Sequence, residues 1–285
     1  MRKRFIAICG GTLLSLGGSS AHAAVLIADF NDITAGALAG KAGGTGFSGT
    51  WSGSAATNVV AGDLTSSLYN VPQSGTPQAA RNANTTGLRQ NFRNATASPT
   101  GTVWFSFLAK AEATGDRAGI SINPSSTISP FDNPGNSYAY FEGDTLKYSF
   151  GAGTASTLVG AAPVASTALI VGKVVIDSSV GGADAITLWV NPDLIANPDI
   201  NTLTPVYNNS SVDWLTSVAT VGAVMARKDG GTSGGGDVDN IRFSDGGGNS
   251  AQAFADVTNV PEPASLGVLG LAVMGLAGQR KRRMA

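Results

Sequence analysis

Hydrophobic and polar residues alternate with a period of two from residue 24 to about residue 245, which is the periodicity of a β-strand. Runs of Gly, Pro, Asn, Asp and Ser separate the alternating segments, and the sequence between them has no long helical pattern. The pattern therefore predicts an all-β fold in which two antiparallel sheets pack as a sandwich. The predicted strands are residues 25–30, 103–108, 117–123, 137–142, 146–150, 169–177, 186–190, 220–227 and 238–244.

The N-terminal end has the three features of a secretory signal peptide. A basic cluster at residues 2–4 precedes an apolar stretch at residues 5–16, and Ala-His-Ala at residues 21–23 places small residues where signal peptidase cuts. A buried strand or helix would not explain these features in this order. We therefore predict that residues 1–23 are a signal peptide and that signal peptidase removes them before Ala24.

The C-terminal end also carries three unlike features in a fixed order. Val-Pro-Glu-Pro at residues 260–263 is followed by an uncharged run at residues 264–278 and then by a basic cluster at residues 280–283. As a helix the run would be about 22 Å long, shorter than the ~30 Å core of a bilayer. A basic cluster directly after the run is nevertheless typical of the cytoplasmic flank of a membrane segment.

We therefore predict a transmembrane segment at residues 264–278 that leaves the preceding domain on the outer side of the membrane. A linker at residues 249–259 would join this segment to a domain at residues 24–248. The alternative is a core helix followed by a solvated basic tail, which would be an unusual cap for a buried helix.

Together the C-terminal features resemble the PEP-CTERM sorting signal of Gram-negative bacteria. The resemblance implies that an exosortase, a membrane transpeptidase-like enzyme, cuts the chain near Pro-Glu-Pro during export associated with exopolysaccharide. The protein would be tethered transiently to the inner membrane and would then reach the cell envelope surface or the extracellular matrix. The sorting residues that carry the resemblance are Val260, Pro261, Glu262, Pro263, Arg280, Lys281, Arg282 and Arg283.

Charge and composition exclude several classes of function. The chain has 285 residues and a formal net charge of −1, but seven of its 18 basic residues lie in the two terminal clusters. Residues 24–260 alone carry a net charge of −7, so nucleic acid is not an expected partner. The sole Cys and the sole His, Cys9 and His22, fall within the predicted signal peptide. The mature chain therefore lacks the residues for Ser-His-Asp or Cys-His catalysis, for a His or Cys zinc site and for a disulfide.

Several segments resemble the concanavalin A-like, laminin-G-like jelly rolls of exported bacterial proteins. The resemblance implies a jelly-roll sandwich in which the first and last strands lie side by side. Some members of that family hold a structural calcium ion or bind sugars. The segments that carry the resemblance are residues 29–32, 43–51, 103–109, 188–192 and 238–243.

Oxygen-bearing side chains on the first and last predicted strands form a candidate calcium site. Calcium binds six to eight oxygen atoms from carboxylates, amides and carbonyls. The alternative is a solvated turn in which the Asp side chains accept hydrogen bonds from backbone amides. The candidate ligands are Asp29, Asn31, Asp237, Asp239 and Asn240.

Trp104 and Trp189 lie on predicted strands and are candidates for stacking on sugar rings, although core packing is the ordinary role of such residues. We predict a non-enzymatic, lectin-like domain that acts by adhesion or by association with exopolysaccharide. One alternative is a carbohydrate-active hydrolase of jelly-roll fold, but the chain lacks the Glu-x-Asp-x-x-Glu strand of the laminarinase-type glucanases. Another is a calcium-dependent structural module.

Overall fold

A computed structural model describes residues 23–68, 75–82, 87–123, 137–150, 156–177, 179, 182–212, 217–227 and 235–260. The predicted signal peptide, apart from Ala23, lies outside these residues, and so does the sorting segment after Val260. The strands are β1 Val25–Ala28, β2 Gly36–Ala37, β3 Phe47–Gly53, β4 Thr57–Ala61, β5 Gln78–Asn82, β6 Gly87–Ala95, β7 Thr102–Ala111, β8 Arg117–Ile122, β9 Ser137–Glu142, β10 Thr145–Ser149, β11 Ser156–Leu158, β12 Ala168–Val175, β13 Asp184–Val190, β14 Tyr207–Val212, β15 Thr220–Arg227 and β16 Gly236–Ser244.

The described strands form two antiparallel sheets, as the alternation predicts. The first sheet has nine strands, eight of them in the order β14-β13-β12-β7-β16-β5-β4-β2, and β1 pairs with β16. The second has seven strands in the order β11-β10-β9-β8-β15-β6-β3. The first and last strands lie side by side, with Val25 opposite Ser244 and Ala28 opposite Ile241. The predicted two-sheet sandwich is therefore confirmed.

The main hydrophobic core lies between the two sheets. Phe105 and Phe107 project into it from β7, and Phe105 stacks on Phe243 of β16 with ring centroids 5.4 Å apart. Gly172 on β12 lies opposite Phe105 in the sheet register. A Cβ atom at Gly172 would lie 2.1 Å from Cζ of Phe105, so the phenyl ring occupies the space that a side chain would need.

All nine predicted strands occur, with ends that differ by a few residues, but the sequence pattern misses β2 to β6, β11 and β14. Polar residues interrupt the alternation where they are buried and bonded to backbone. Asn91 on β6 donates to the Ser54 carbonyl at 3.0 Å, and Arg93 on the same strand donates to the Gly49 carbonyl at 2.7 Å. Strands β3 and β14 lie at sheet edges, and on β3 only Trp51 is buried, so neither strand shows an alternating pattern.

The sequence predicts a linker at residues 249–259, and the structure corrects this prediction. It forms a helix, α1, at Ser250–Thr258. The Asn249 side chain caps the first turn by accepting from the amides of Ala251 and Gln252. Phe254 and Val257 are buried against the outer face of the first sheet. Only a few apolar positions in nine residues make this contact, which is too short a pattern to predict a helix from the sequence.

Candidate functional site

Trp104 and Trp189 lie in a small second core, between α1 and the first sheet, rather than on an exposed surface. Their rings stack with centroids 5.8 Å apart. The Phe254 ring packs edge-on against Trp104, with ring centroids 4.9 Å apart. Trp104 is 1% exposed and Trp189 is 5% exposed. The sugar-stacking hypothesis for these two residues is therefore wrong, because α1 covers the face on which a sugar ring would pack.

Asp237, one of the five predicted calcium ligands, is instead the partner of an arginine. Arg81 on β5 donates from Nε to Asp237 Oδ1 at 2.6 Å and from Nη2 to Oδ2 at 2.5 Å. Arg81 also lies 3.8 Å from Glu112, which pairs with Lys110 at 3.0 Å. Both Asp237 oxygens are occupied by this bidentate pair, so the structure removes Asp237 from the candidate metal site.

The other four predicted ligands lie where β16 changes its neighbour in the sheet. β16 pairs with β5 through Asp237 and Val238, and then with β1 from Ile241 onward. Asp239 and Asn240 fall between these two pairings, at a register shift against β7. The oxygen-bearing residues gathered at this point are called the polar cluster here, and they are Asp29, Asn31, Asp63, Gln78, Asp239 and Asn240.

Hydrogen bonds tie the segments of the polar cluster together. Asn31 Oδ1 accepts from the Gln78 amide at 2.7 Å, which links the end of β1 to the start of β5. Asp239 Oδ2 accepts from the Leu64 amide at 3.0 Å, and this bond places Asp63, the residue before Leu64, next to β16. Phe30 and Asn240 both have left-handed backbones, with φ values of 59° and 50°. Such strained conformations concentrate at binding and catalytic sites.

Several buried oxygens of the polar cluster accept no hydrogen bond within the described part of the chain. These are both carboxylate oxygens of Asp63, Oε1 of Gln78 and Oδ1 of Asn240. Gln78 and Asn240 are 7% and 1% exposed. Two amide nitrogens of the cluster, Nδ2 of Asn31 and Nδ2 of Asn240, likewise have no acceptor there. Leaving one buried acceptor unsatisfied costs about 1–3 kcal/mol, and the excess of oxygens over nitrogens favours a bound group that offers positive charge or protons.

Charge repulsion among the carboxylates of the polar cluster also favours a bound cation. Burial raises the pKa of Asp239 to about 8, and the negative charges of Asp63 and Asp29 add to this effect, although the Leu64 and Asn240 amides oppose it. Burial and the Asp29 charge also raise the pKa of Asp63. The nearby Gln78 amide opposes this rise, although its hydrogen bond goes to Asn31 Oδ1 rather than to Asp63. A cation would relieve this repulsion.

A metal ion in the polar cluster would need amide and carbonyl oxygens as well as carboxylates. The described residues contain no group of three or more His, Cys, Asp or Glu side chains placed to hold a metal ion by themselves. Calcium is the common cation that accepts such a mixed oxygen set. The chemistry of Asp63, Gln78, Asp239 and Asn240 fits calcium, whereas it does not fit a metal that prefers nitrogen or sulfur.

Sequence analysis missed two members of the polar cluster, Asp63 and Gln78. Asp63 follows β4 and Gln78 is the first residue of β5, and the hydrophobic pattern predicts neither strand. A single Asp after an unrecognised strand carries no sign of metal binding. Only the pairing of β4 with β5 and of β5 with β16 brings them to Asp239.

The second sheet turns polar and aromatic side chains away from the main core. On β8, Ala118 and Ile120 belong to the core, so the alternation of a strand places Arg117 and Ser121 on the opposite, outer face. Ser121 Oγ accepts a 2.8 Å hydrogen bond from Gln90 on this face. The only α-helix of the described residues packs on the first sheet, so this outer face differs from the one that α1 covers.

Arg117, Glu142 and Lys147 form a charged trio on the outer face of the second sheet. Arg117 Nε lies 2.9 Å and Lys147 Nζ 2.8 Å from Glu142 Oε2. Burial tends to raise the pKa of Glu142, but the hydrogen bond from Lys147 and the charge of Arg117 outweigh it, so the pKa is lowered. A glutamate held in its ionised form is poorly suited to act as the general acid of a glycosidase.

The sorting segment begins directly at the end of α1. Asn259 ends the helix in a left-handed conformation, with φ at 55°, and its backbone amide donates to the Ala255 carbonyl at 2.7 Å. Val260 is half-buried and packs against the small core that contains Trp104. The domain therefore holds the chain up to the residue before Pro261.

Residues 259–283 match a family model described as the PEP-CTERM protein-sorting motif. The chain carries a PEP-CTERM sorting motif. The motif marks an exported protein that is anchored transiently at a membrane and processed as an exosortase substrate. The resemblance identified at residues 260–285 is thereby confirmed. Within the described ranges no helix is long and apolar enough to cross a bilayer, and the predicted segment at residues 264–278 lies outside those ranges.

Solved structures similar to this PEP-CTERM chain include carbohydrate-active proteins. A Bacillus licheniformis beta-glucanase is 10% identical with a TM-score of 0.40, covering 73% of this chain and 97% of that one. A prokaryotic beta-1,3-1,4-glucanase from a mouse hindgut metagenome is 9% identical with a TM-score of 0.40, covering 77% and 98%. A carbohydrate-binding module from Bacillus subtilis is 11% identical with a TM-score of 0.33, covering 66% and 91%. No curated protein matches the chain. Similarity at this level assigns no activity.

Proposed function

We propose that the chain is a non-enzymatic, lectin-like surface or matrix protein, delivered by exosortase sorting after signal peptidase has removed residues 1–23. The observation that carries this proposal is the PEP-CTERM motif at residues 259–283, placed directly after a folded sandwich. Its destination would be the cell envelope surface or extracellular matrix of a Gram-negative bacterium. There it would act by adhesion or by association with exopolysaccharide.

The outer face of the second sheet is the proposed contact surface for polysaccharide. The charged trio offers hydrogen-bonding groups there, and the side chains of Arg117 and Lys147 are 28% and 29% exposed. Phe92 on β6 is half-buried, and its pairing with Gly222 places it near Gln90 and Ser121. Gln90 and Ser121 are themselves buried, so the groups of this face that a sugar could reach are those of the charged trio.

Intact mass of the protein from the cell envelope and from the medium tests the sorting proposal. We expect a species that begins at Ala24 and lacks the basic cluster at residues 280–283. The double variant Pro261→Ala/Pro263→Ala should retain that cluster and accumulate with the membrane. Pro192→Ala, which lies outside the motif, is the control and should be processed normally. Medium protein that still contains residues 280–283 would contradict the proposal.

Co-sedimentation with the host's own exopolysaccharide tests the lectin-like role. We expect the mature protein to pellet with the polysaccharide and Lys147→Ala to pellet less. Lys173→Ala, on the first sheet beside Trp104, should bind as the wild type does. Equal binding by both variants would contradict the proposed surface, and release of reducing sugar by the mature protein would instead support the hydrolase alternative.

A second candidate function is favoured by the polar cluster. We propose that it binds a structural calcium ion through Asp63, Gln78, Asp239 and Asn240, with Asp29 supplying further negative charge. The support is the set of buried oxygens that accept no hydrogen bond in the described residues, together with the raised pKa of Asp239. A thermal midpoint that does not change between EDTA and millimolar calcium would contradict this proposal.

A further inference from the structure

The first residue after the predicted signal peptide is held by a buried carboxylate. The Ala24 backbone nitrogen donates to Asp245 Oδ1 at 2.9 Å, and the Asp245 amide donates in return to the Ala24 carbonyl at 3.3 Å. Ala24 is 8% exposed and Asp245 is 9% exposed. Ala23, one residue earlier, is exposed. The point where the chain enters the fold therefore coincides with the predicted cleavage position.

Asp245 also organises the backbone around this point. Its Oδ1 accepts from the Gly247 amide at 2.9 Å, and its Oδ2 accepts from the Thr100 amide at 3.3 Å. One carboxylate thus receives donors from the start of β1, from the turn before α1 and from the loop before β7. These three donors are uncharged backbone amides, and among the described residues no side-chain cation donates to this carboxylate.

We propose that Asp245 is the binding site for the α-ammonium group created when signal peptidase cuts before Ala24. The proposal rests on the predicted cleavage position. Hydrolysis adds one water across the Ala23–Ala24 bond: the hydroxyl goes to the Ala23 carbonyl carbon, which leaves as a carboxylate, and the Ala24 nitrogen becomes an amine. At neutral pH that amine takes up a proton and is positively charged.

Cleavage would then convert a neutral hydrogen bond into a charge-assisted one. An N⁺–H···O⁻ bond is roughly twice as strong as its neutral counterpart, and an ammonium group has two further hydrogens to donate. The uncleaved precursor lacks this charge. Signal removal therefore strengthens the link between the start of β1 and the end of β16, and the precursor has a less stable fold than the mature protein.

Charged groups near the pair come from two elements. On β16, Arg242 donates to the Asp256 carbonyl at 3.4 Å, and on α1 the Asp256 carboxylate accepts from Ser244 Oγ at 2.6 Å. Ser244 Oγ in turn accepts from the Gly246 amide at 3.0 Å. The loop at Thr100 contributes its backbone amide to Asp245. Asp256 and Arg242 are present in every variant below, so their charges contribute equally to each protein.

The test compares exported wild-type protein with a variant that has one alanine inserted between Ala23 and Ala24. The insertion keeps Ala-His-Ala at the cleavage position but moves the α-amine one residue away, so Ala24 again offers a neutral peptide N–H. Intact mass identifies both N-termini. Urea unfolding is then measured at pH 7 and pH 10 in EDTA, which keeps the polar cluster free of metal. Asp239, whose raised pKa lies between these two pH values, is present in both proteins, so its effect cancels in the comparison.

An α-amine has an ordinary pKa of about 7.7–8.0, and pairing with a carboxylate raises it in the folded state. The stabilisation is complete below that ordinary pKa and disappears as the pH rises through the raised value. For a rise of about one unit, the wild-type unfolding constant should increase about tenfold more than that of the insertion variant between pH 7 and pH 10. Asp245→Asn should behave like the insertion variant.

Equal pH responses of the wild type and the insertion variant would overturn the proposal. The insertion variant keeps every native side chain, so this comparison stands even where Asp245→Asn fails to fold. A mature N-terminus other than Ala24 would also overturn it, by removing the amine from the site. The sorting proposal is judged separately, because the same mass spectrum shows whether residues 280–283 have been removed.

Discussion

Asp63→Asn provides the sharpest test of calcium binding by the polar cluster. The substitution keeps the size of the side chain and removes one negative charge. Calcium sites in extracellular modules have dissociation constants of about 10⁻⁴–10⁻³ M, so 10 mM calcium exceeds them by about 10–100-fold. Selective binding to the folded state then stabilises it by about 1.4–2.7 kcal/mol. For a domain of this size that corresponds to a rise of about 3–10 °C in the thermal midpoint.

The assay is calorimetry of the mature protein in EDTA and in 10 mM calcium. Wild type should show the full shift, whereas Asp63→Asn should lose most of it. In EDTA the variant should be at least as stable as the wild type, because it no longer places a negative charge beside Asp29 and Asp239. Loss of the calcium response without loss of stability is a pattern that simple damage to the fold does not produce.

Asp237→Asn is the matched control, since it removes the same charge from a buried carboxylate on β16 that the structure pairs with Arg81. Breaking this ion pair should lower the midpoint in both solutions and leave the calcium shift intact. Equal calcium shifts in Asp63→Asn and the wild type would refute the assignment of Asp63 as a ligand. Loss of the shift in Asp237→Asn alone would restore the ligand set expected from the sequence.

Three further predictions follow from the packing and the charges. In EDTA the free energy of unfolding should fall as the pH rises from about 4 to about 8, because the raised pKa of Asp239 favours its protonated form in the fold. In Asp239→Asn the free energy of unfolding, measured in urea, should change less with pH over this interval. Gly172→Ala should lower the free energy of unfolding by about 1–3 kcal/mol in urea, since its methyl group would overlap the Phe105 ring, and an unchanged value would contradict the packing. Phe254→Ala should cost about 3–5 kcal/mol and change tryptophan fluorescence by opening the small core, and an unaltered emission spectrum would count against the burial of Trp104.

The two tryptophans show where sequence reasoning fails. Period-two alternation correctly assigns Trp104 and Trp189 to strands, and it shows that their side chains face opposite to the most apolar positions of those strands. It cannot show that a helix lies on that opposite face. That helix is short, and its contact depends on a chain reversal after β16 that brings Phe254 back onto β7.

The polar cluster also shows that the sequence predicts only part of a site. Asp29, Asn31, Asp239 and Asn240 could be grouped from the sequence because the first and last strands of the resembling family are neighbours. Asp237 was grouped with them by proximity along the chain. Asp237 lies only two residues before Asp239 on β16, and the pairing of β16 with β5, which the sequence pattern does not predict, places it against Arg81 instead.

The sequence by itself determined the fold class, most of the central strands and the sorting motif, because each depends on local properties: alternation, charge order and short contiguous motifs. It also determined that the mature chain has no imidazole or thiol. Only the tertiary structure decided which polar side chains meet, that residues 249–259 pack as a helix, and that Ala24 contacts Asp245. These contacts join residues up to 221 positions apart, and no local pattern in the chain specifies them.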